Sequence, residues 1–247
     1  MAGGMSEIYQ EGLRIPVVKL FRGGDLQQDL FDLLLLNVRL PEERRGDYYA
    51  QIAACRLGER RLQEICTAYS PTTVEAAFAD IIERTAARMR DGIVGIPDGT
   101  YRFDDVMDDD GLGSVDIPIR LAITVAGDSI RFDFTGTAPQ VAGNINVTLN
   151  ATQAAVCYAL KALLDPDIPN NQGVIGVCDI VTEKGSLLDC VAPAPVAARA
   201  NTSQRIIDVV IGALADALPD AVVGAANGAN TTAVFSGIDP RTGAGYL

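Results

Sequence analysis

Histidine is absent from this 247-residue chain. It is the side chain whose unperturbed pKa falls between pH 5 and 8. Serine or cysteine hydrolases of the usual triad type are therefore excluded within these residues, as are zinc sites that depend on imidazole. Carboxylate, lysine, tyrosine, cysteine and backbone chemistry remain. Tryptophan is also absent and aromatics make up 6%, so the core has to come from Leu, Ile, Val and Ala. Basic residues are in deficit, 20 against 32 acidic, for a net charge of −12. That balance opposes non-specific binding to nucleic acid or an anionic membrane, and no basic stripe is visible. No run of about 18 apolar residues occurs, so the sequence predicts no membrane-spanning helix. Residues 1–25 lack the apolar h-region of a secretory leader. The five cysteines, Cys55, Cys66, Cys157, Cys178 and Cys190, show no CxxC spacing, which excludes a metal knuckle or redox motif. They are read as buried, reduced thiols of a cytoplasmic protein.

What is present reads in two parts. Pro16 marks residues 6–20 as an edge strand or extended arm. Asp25, after Gly23–Gly24, is read as the N-cap of a helix with Leu26, Leu30, Leu33 and Leu34 at helical spacing. Pro41 opens the next helix, and Leu62, Ile65, Cys66 and Tyr69 form a stripe along it. A third helix is predicted over 72–90, with Val74, Phe78, Ile81, Ile82, Thr85 and Met89 on one face, so the two make an αα-hairpin. Beyond Gly92 the pattern alternates. Strands are predicted over 100–106, 116–125 and 129–135, joined by short turns into an antiparallel meander. Ile117, Ile119, Leu121 and Ile123 share one face. A buried helix over 151–164, a strand over 176–182, a helix over 203–218 and a short strand near Ala233–Phe235 follow. The fold class is α+β: an N-terminal helical hairpin, then an antiparallel β-meander and further helices on a mixed sheet. Residues 1–95 are predicted to form the arm and hairpin region, and 96–247 an α+β region expected to be part of one larger domain truncated at both ends.

Three features invite chemistry. The acidic run Asp104, Asp105, Asp108, Asp109 and Asp110 fails the EF-hand template, because the twelfth position from Asp108 is Ile119. A solvated turn is favoured over a weak Mg²⁺ or Ca²⁺ site. No Walker A or dinucleotide fingerprint occurs, so any nucleotide the reaction needs is expected on another chain. Two polar clusters remain, one from Asp133 and Thr135 through Gln140 to Asn144 and Asn146, the other Arg199, Asn201, Ser203 and Arg205. Ser203 has the character of a helix N-cap and Arg205 that of a carboxylate partner. Capping and loop closure compete evenly with a binding role.

The runs PDGTYRFDDVMDDDG, DFTGTAPQVAGNIN, PNNQG and NTSQRIIDVV occur in that order. QEGLRIPVVKLFRGG and NVRLPEERRGDYYAQIAACRLGERRL precede them. Together they resemble the B-type subunit of the hydantoinase/oxoprolinase family, in register from Ser6 to Tyr246. The resemblance implies one half of an ATP-dependent enzyme such as N-methylhydantoinase or 5-oxoprolinase. An A-type partner would bind ATP and phosphorylate the substrate, and the B-type subunit would complete ring opening of a small cyclic amide. Relatives in acetone and acetophenone carboxylases imply carboxylation as the alternative, and a non-catalytic assembly module or inactive remnant is the other. Family members are longer and carry a metal-binding stretch rich in His and Asp. The chain is accordingly expected to be an internal portion that binds no cofactor itself and is inactive alone, with ATP on the partner and a divalent metal in the N-terminal region it lacks. Asp133 is the expected catalytic carboxylate. Thr135, Asn144, Asn146, Asn201, Ser203 and Arg205 are the expected substrate contacts.

Overall fold

A two-residue glycine turn makes the first difference from the sequence reading. Gly23 and Gly24 both have positive φ, 60° and 95°, a conformation that side chains resist and that matches the twist of a tight hairpin. The turn joins β1 (Phe21–Arg22) to β2 (Asp25–Leu26), with Phe21 opposite Leu26. Asp25 is thus a strand residue rather than an N-cap, and α1 (Gln28–Leu36) starts after it. The computed structural model describes residues 4–228 and 236–246. The strand expected near Ala233–Phe235 lies outside the described residues.

Two long helices follow, α2 (Pro41–Tyr69) and α3 (Pro71–Val94). Each opens on a proline, where the missing N–H costs nothing. Ser70 between them has φ 70° and its hydroxyl accepts from the Thr73 N–H at 3.3 Å. The expected αα-hairpin forms, but its apolar stripe is incompletely covered. No residue of α2 is buried, and on α3 burial is confined to Val74, Thr85, Met89 and Ile93. Leu62, Ile65 and Phe78 stay 45%, 48% and 52% exposed.

The second part is a four-stranded mixed sheet, ordered β3 (Gly99–Asp109), β4 (Val115–Ala126), β5 (Ser129–Asp133), β6 (Cys178–Val181). The first three strands are antiparallel and β6 runs parallel to β5. Strict alternation on β4 turns Ile117, Ile119, Leu121, Ile123 and Val125 inward and leaves Arg120 and Thr124 exposed. Helices α4 (Leu149–Leu164), α5 (Gln172–Ile175) and α6 (Arg199–Leu214) complete this part. Val156 and Leu160 of α4, Ile206 and Val210 of α6, and Ile93 of α3 join the inward strand residues in one core. β7 (Gly237–Ile238) and β8 (Gly245–Tyr246) form a separate antiparallel pair.

The acidic run is not one solvated turn. β3 continues through Asp109, which pairs with Val115, so the chain reverses after it. Asp110 is buried. Its Oδ1 accepts from the N–H groups of Leu112 and Ser114 at 2.8 and 2.9 Å, and its Oδ2 from Gly143 at 3.0 Å. Burial pushes this carboxyl up, but the backbone donors outweigh it and hold the pKa below the ordinary 3.8; donors to the charged form act in that direction. Stability from this group is therefore present above that ordinary value and lost as pH falls through the lower folded one. Asp110→Asn should cost about 1–3 kcal/mol at neutral pH. It should also flatten the acid limb of urea midpoints measured against pH below about 4.

Helix α6 starts one turn earlier than the sequence suggests, because tertiary contacts seat its first turn. The Ala198 N–H donates to the Asn144 carbonyl at 2.8 Å, and the Thr202 hydroxyl to the Ile145 carbonyl at 2.6 Å. Just upstream, the N–H groups of Val196 and Ala197 donate to Glu11 Oε1 at 2.6 and 2.7 Å. The N-terminal arm is thereby tied to the α6 entry, and Ile8 N–H adds a bond to the Pro193 carbonyl at 2.9 Å. The cysteines are free, but only partly as expected: Cys157 is buried and Cys55 on α2 is exposed.

Candidate functional site

Two concave surfaces hold five of the seven predicted site residues, and they divide those five between them. The first is a cleft of ≈ 390 Å³ between the end of β3, the loop at 143–146, the start of α6 and Gly228. Asn144, Asn201 and Arg205 line it, with Asp108 and Asp109 at its β3 side. Asn201 and Arg205 are four residues apart on one helix, which puts them on the same face. Asn144 is buried, and the backbone bond from Ala198 fixes its loop against the helix.

Arg205 is half-buried. Its Nη1 donates to Asp105 Oδ2 at 2.9 Å and lies 3.7 Å from Asp208 Oδ2. This is the carboxylate pairing the sequence suggested, supplied by β3 and by the next turn of α6. Among the described residues, Arg205 Nε and Asp208 Oδ2 are buried without a hydrogen-bond partner. The guanidinium thus joins the helix to the sheet.

Two of the predicted contacts have other surroundings. Asn146 is fully buried. Its Nδ2 donates to the carbonyls of Val141, Gly143 and Pro195 at 2.9, 2.9 and 3.1 Å, and its Oδ1 accepts from the Val141 N–H at 2.8 Å. That side chain pins the loop and does not line the cleft. Ser203 is not the N-cap: Ala198 holds that position and Ser203 lies inside α6, away from the cleft-lining residues.

Asp133 and Thr135 belong to the second surface, a groove of ≈ 820 Å³ on the sheet face opposite α6. Register explains the split. Asp133 pairs with Ala122 and Ala122 with Arg102, on the outward side, whereas Asp105 pairs with inward Ile119. Asp133 Oδ1 accepts from the Thr135 N–H at 2.9 Å, an Asx turn that ends β5. Hydrogen bonds from Thr135, side chain and backbone, hold its carboxyl below the ordinary range despite some burial, and Arg131 and Arg102 add to the effect. A depressed pKa suits charge pairing and opposes action as a general base near neutral pH.

The groove also holds residues that sequence reasoning missed. Arg102 of β3, Arg120 of β4 and Arg131 of β5 all line it. They form no stripe along the chain because each comes from a different strand. The signal was the alternation itself, since even-numbered residues of β4 point outward and the hairpin register places those of β3 beside them.

Other groups are poorly suited to reaction. The hydrogen bond shared with Cys157 and burial push the Cys178 thiol up, and burial pushes Cys190 up; a protonated thiol is a weak nucleophile. Among the described residues, no group of three or more Cys, Asp or Glu side chains is placed to hold a metal ion. The divalent metal that the resemblance implies therefore does not fit the described residues. The cleft offers amide and guanidinium groups, which orient a polar substrate and stabilise negative charge.

Comparison with known proteins adds an independent line. Residues 1–247 match the sequence profile described as hydantoinase B/oxoprolinase. The B-type subunit of a putative D-/L-hydantoinase from Pseudomonas sp. (strain NS671) is 35% identical over 87% of this chain and 38% of its own length. The 5-oxoprolinase 1 of Arabidopsis thaliana is 33% identical over 83% of this chain and 18% of its own. The crystal structure of the ATP-dependent caprolactamase from Pseudomonas jessenii superposes with a TM-score of 0.81 at 30% identity, covering 89% of this chain and 38% of that one. The chain spans well under half the length of these relatives.

Proposed function

This chain belongs to the hydantoinase B/oxoprolinase family, and from that premise we propose that it is part of the B-type subunit of an ATP-dependent cyclic amidohydrolase. The observation that carries the reading is the similarity to the B-type subunit of a putative hydantoinase over 87% of the chain. A hydantoin, 5-oxoproline or a lactam such as caprolactam is the substrate class. An amide is a poor electrophile. Phosphorylation of its oxygen, by ATP bound on an A-type partner, makes the ring carbon a better electrophile: water adds there, the ring C–N bond breaks with the nitrogen leaving protonated, and a second water splits the resulting acyl phosphate into carboxylate and phosphate. The remaining demand is for donors that orient the ring and hold developing charge.

The cleft at the start of α6 supplies such donors. Asn144 and Asn201 are the proposed substrate contacts, and Arg205 is a positioning residue that acts by fixing α6 against β3. The cleft's ≈ 390 Å³ lies within the range of small-molecule sites, roughly 300–1,000 Å³. Asn201→Ala and Asn144→Ala, each introduced into the complete enzyme with its ATP-binding partner, test this. Loss of one hydrogen bond to substrate should lower kcat/KM for ring opening by about tenfold, on the order of 1.4 kcal/mol. Unchanged kcat/KM in both variants would remove the cleft from the reaction.

A further inference from the structure

We propose that the outward face of the sheet is a second binding site, for a small molecule that carries a phosphoryl or carboxylate group. It is separate from the α6 cleft and does not rest on the ring-opening assignment.

The groove is organised around one small residue. Ala122 lies opposite Arg102 on one side and Asp133 on the other, while Arg120 and Thr124 flank it two residues away on its own strand. Same-face neighbours on adjacent strands lie roughly 5–8 Å apart, within reach of long side chains. Ala122 therefore forms a floor and the longer groups form walls. Their ≈ 820 Å³ of space has the size of a small-molecule site.

The charges are arranged unevenly. In a chain of net charge −12, three arginines converge on one groove. Two are ion-paired: Arg120 Nε lies 3.8 Å from Asp104, and Arg131 Nη1 lies 2.6 Å from Asp179. Arg102 makes no ion pair among the described residues. Its guanidinium influences Asp133 only through charge, which leaves its fork suited to two oxygens of a phosphoryl or carboxylate group. Asp104 and Asp133 share the groove, so its walls also accept N–H or O–H donors. That mixture fits a compact ligand with an anionic end and a donor elsewhere. It disfavours a polyanion such as nucleic acid, which the net charge repels.

The test titrates the chain with inorganic phosphate and, separately, with succinate, at fixed ionic strength with chloride as the reference anion. Saturable binding of either probe with Kd on the order of 1 mM or tighter is expected. Arg102→Gln should raise that Kd by about tenfold or more. Arg60→Gln, an exposed substitution on α2, should leave it unchanged. Phosphate binding alone assigns a phosphoryl ligand, succinate binding alone a carboxylate, and both the shared oxyanion chemistry. Arg120→Gln carries the same expectation and decides the matter should Arg102→Gln unfold. No saturable binding of either probe, or a Kd that neither groove variant changes, overturns the proposal.

Discussion

Gly143→Ala should destabilise the chain by about 3 kcal/mol or more, more than an ordinary surface substitution by a wide margin. A Cβ on Gly143 would stand 2.0 Å from the Asp110 carbonyl oxygen and 2.7 Å from its Cβ. Neither is the end of a flexible side chain, so backbone has to move. Movement is opposed by the bond from the Gly143 N–H to Asp110 Oδ2 at 3.0 Å and by the Asn146 amide that holds the Gly143 carbonyl at 2.9 Å. Relief of the clash breaks the contact between the β3–β4 turn and the loop carrying Asn144. Thermal unfolding measures the loss, expected near 6–12 °C for a chain of this size. Gly58→Ala on α2 is the matched control. Nothing lies within 4 Å of the added methyl there, so helix propensity alone should leave stability unchanged or raise it by up to about 1 kcal/mol.

The second large effect is expected at Arg205. Arg205→Ala removes the guanidinium between Asp105 and Asp208, whose side chains are 28% and 10% exposed. Two carboxylates are then left partly desolvated without their cation. Breaking a fully buried pair costs about 3–5 kcal/mol. Partial exposure reduces that here, and about 2–3 kcal/mol is expected by urea unfolding. Arg205→Lys distinguishes charge from geometry. Lysine restores the positive charge but not the fixed fork, so it should recover part of the stability. From its proposed positioning role, Arg205→Lys should lower kcat/KM in the complete enzyme more than its stability loss explains.

The elements that alternate cleanly were legible in the sequence. Ile117, Ile119, Leu121 and Ile123 declare the buried face of β4, and the structure buries all four. The meander, the αα-hairpin and the mixed α+β class follow from such local periodicity. Boundaries failed where distant contacts decide them. Ser203 has cap chemistry, yet Thr202 and Ala198, bonded to the loop at 144–145, start α6 a turn earlier. Asp110 sits in a run that reads as solvated, and its burial depends on Gly143, 33 positions away. The candidate site divided for the same reason. Asp133 and Arg205 belong to clusters that look alike as sequence, but strand parity turns Asp133 to one face of the sheet and Asp105, the partner of Arg205 on α6, to the other. The groove arginines were invisible because only strand pairing brings Arg102, Arg120 and Arg131 together.

The ring-opening assignment is tested most directly by stoichiometry in the complete enzyme, B-type chain plus ATP-binding partner. Hydantoin, 5-oxoproline and caprolactam are each supplied with ATP, and ring-opened product is counted against ADP. At least one of them should be opened, opening should stop without ATP, and both chains should be required. ATP-dependent consumption of acetone and bicarbonate with no amide opened would contradict the ring-opening assignment.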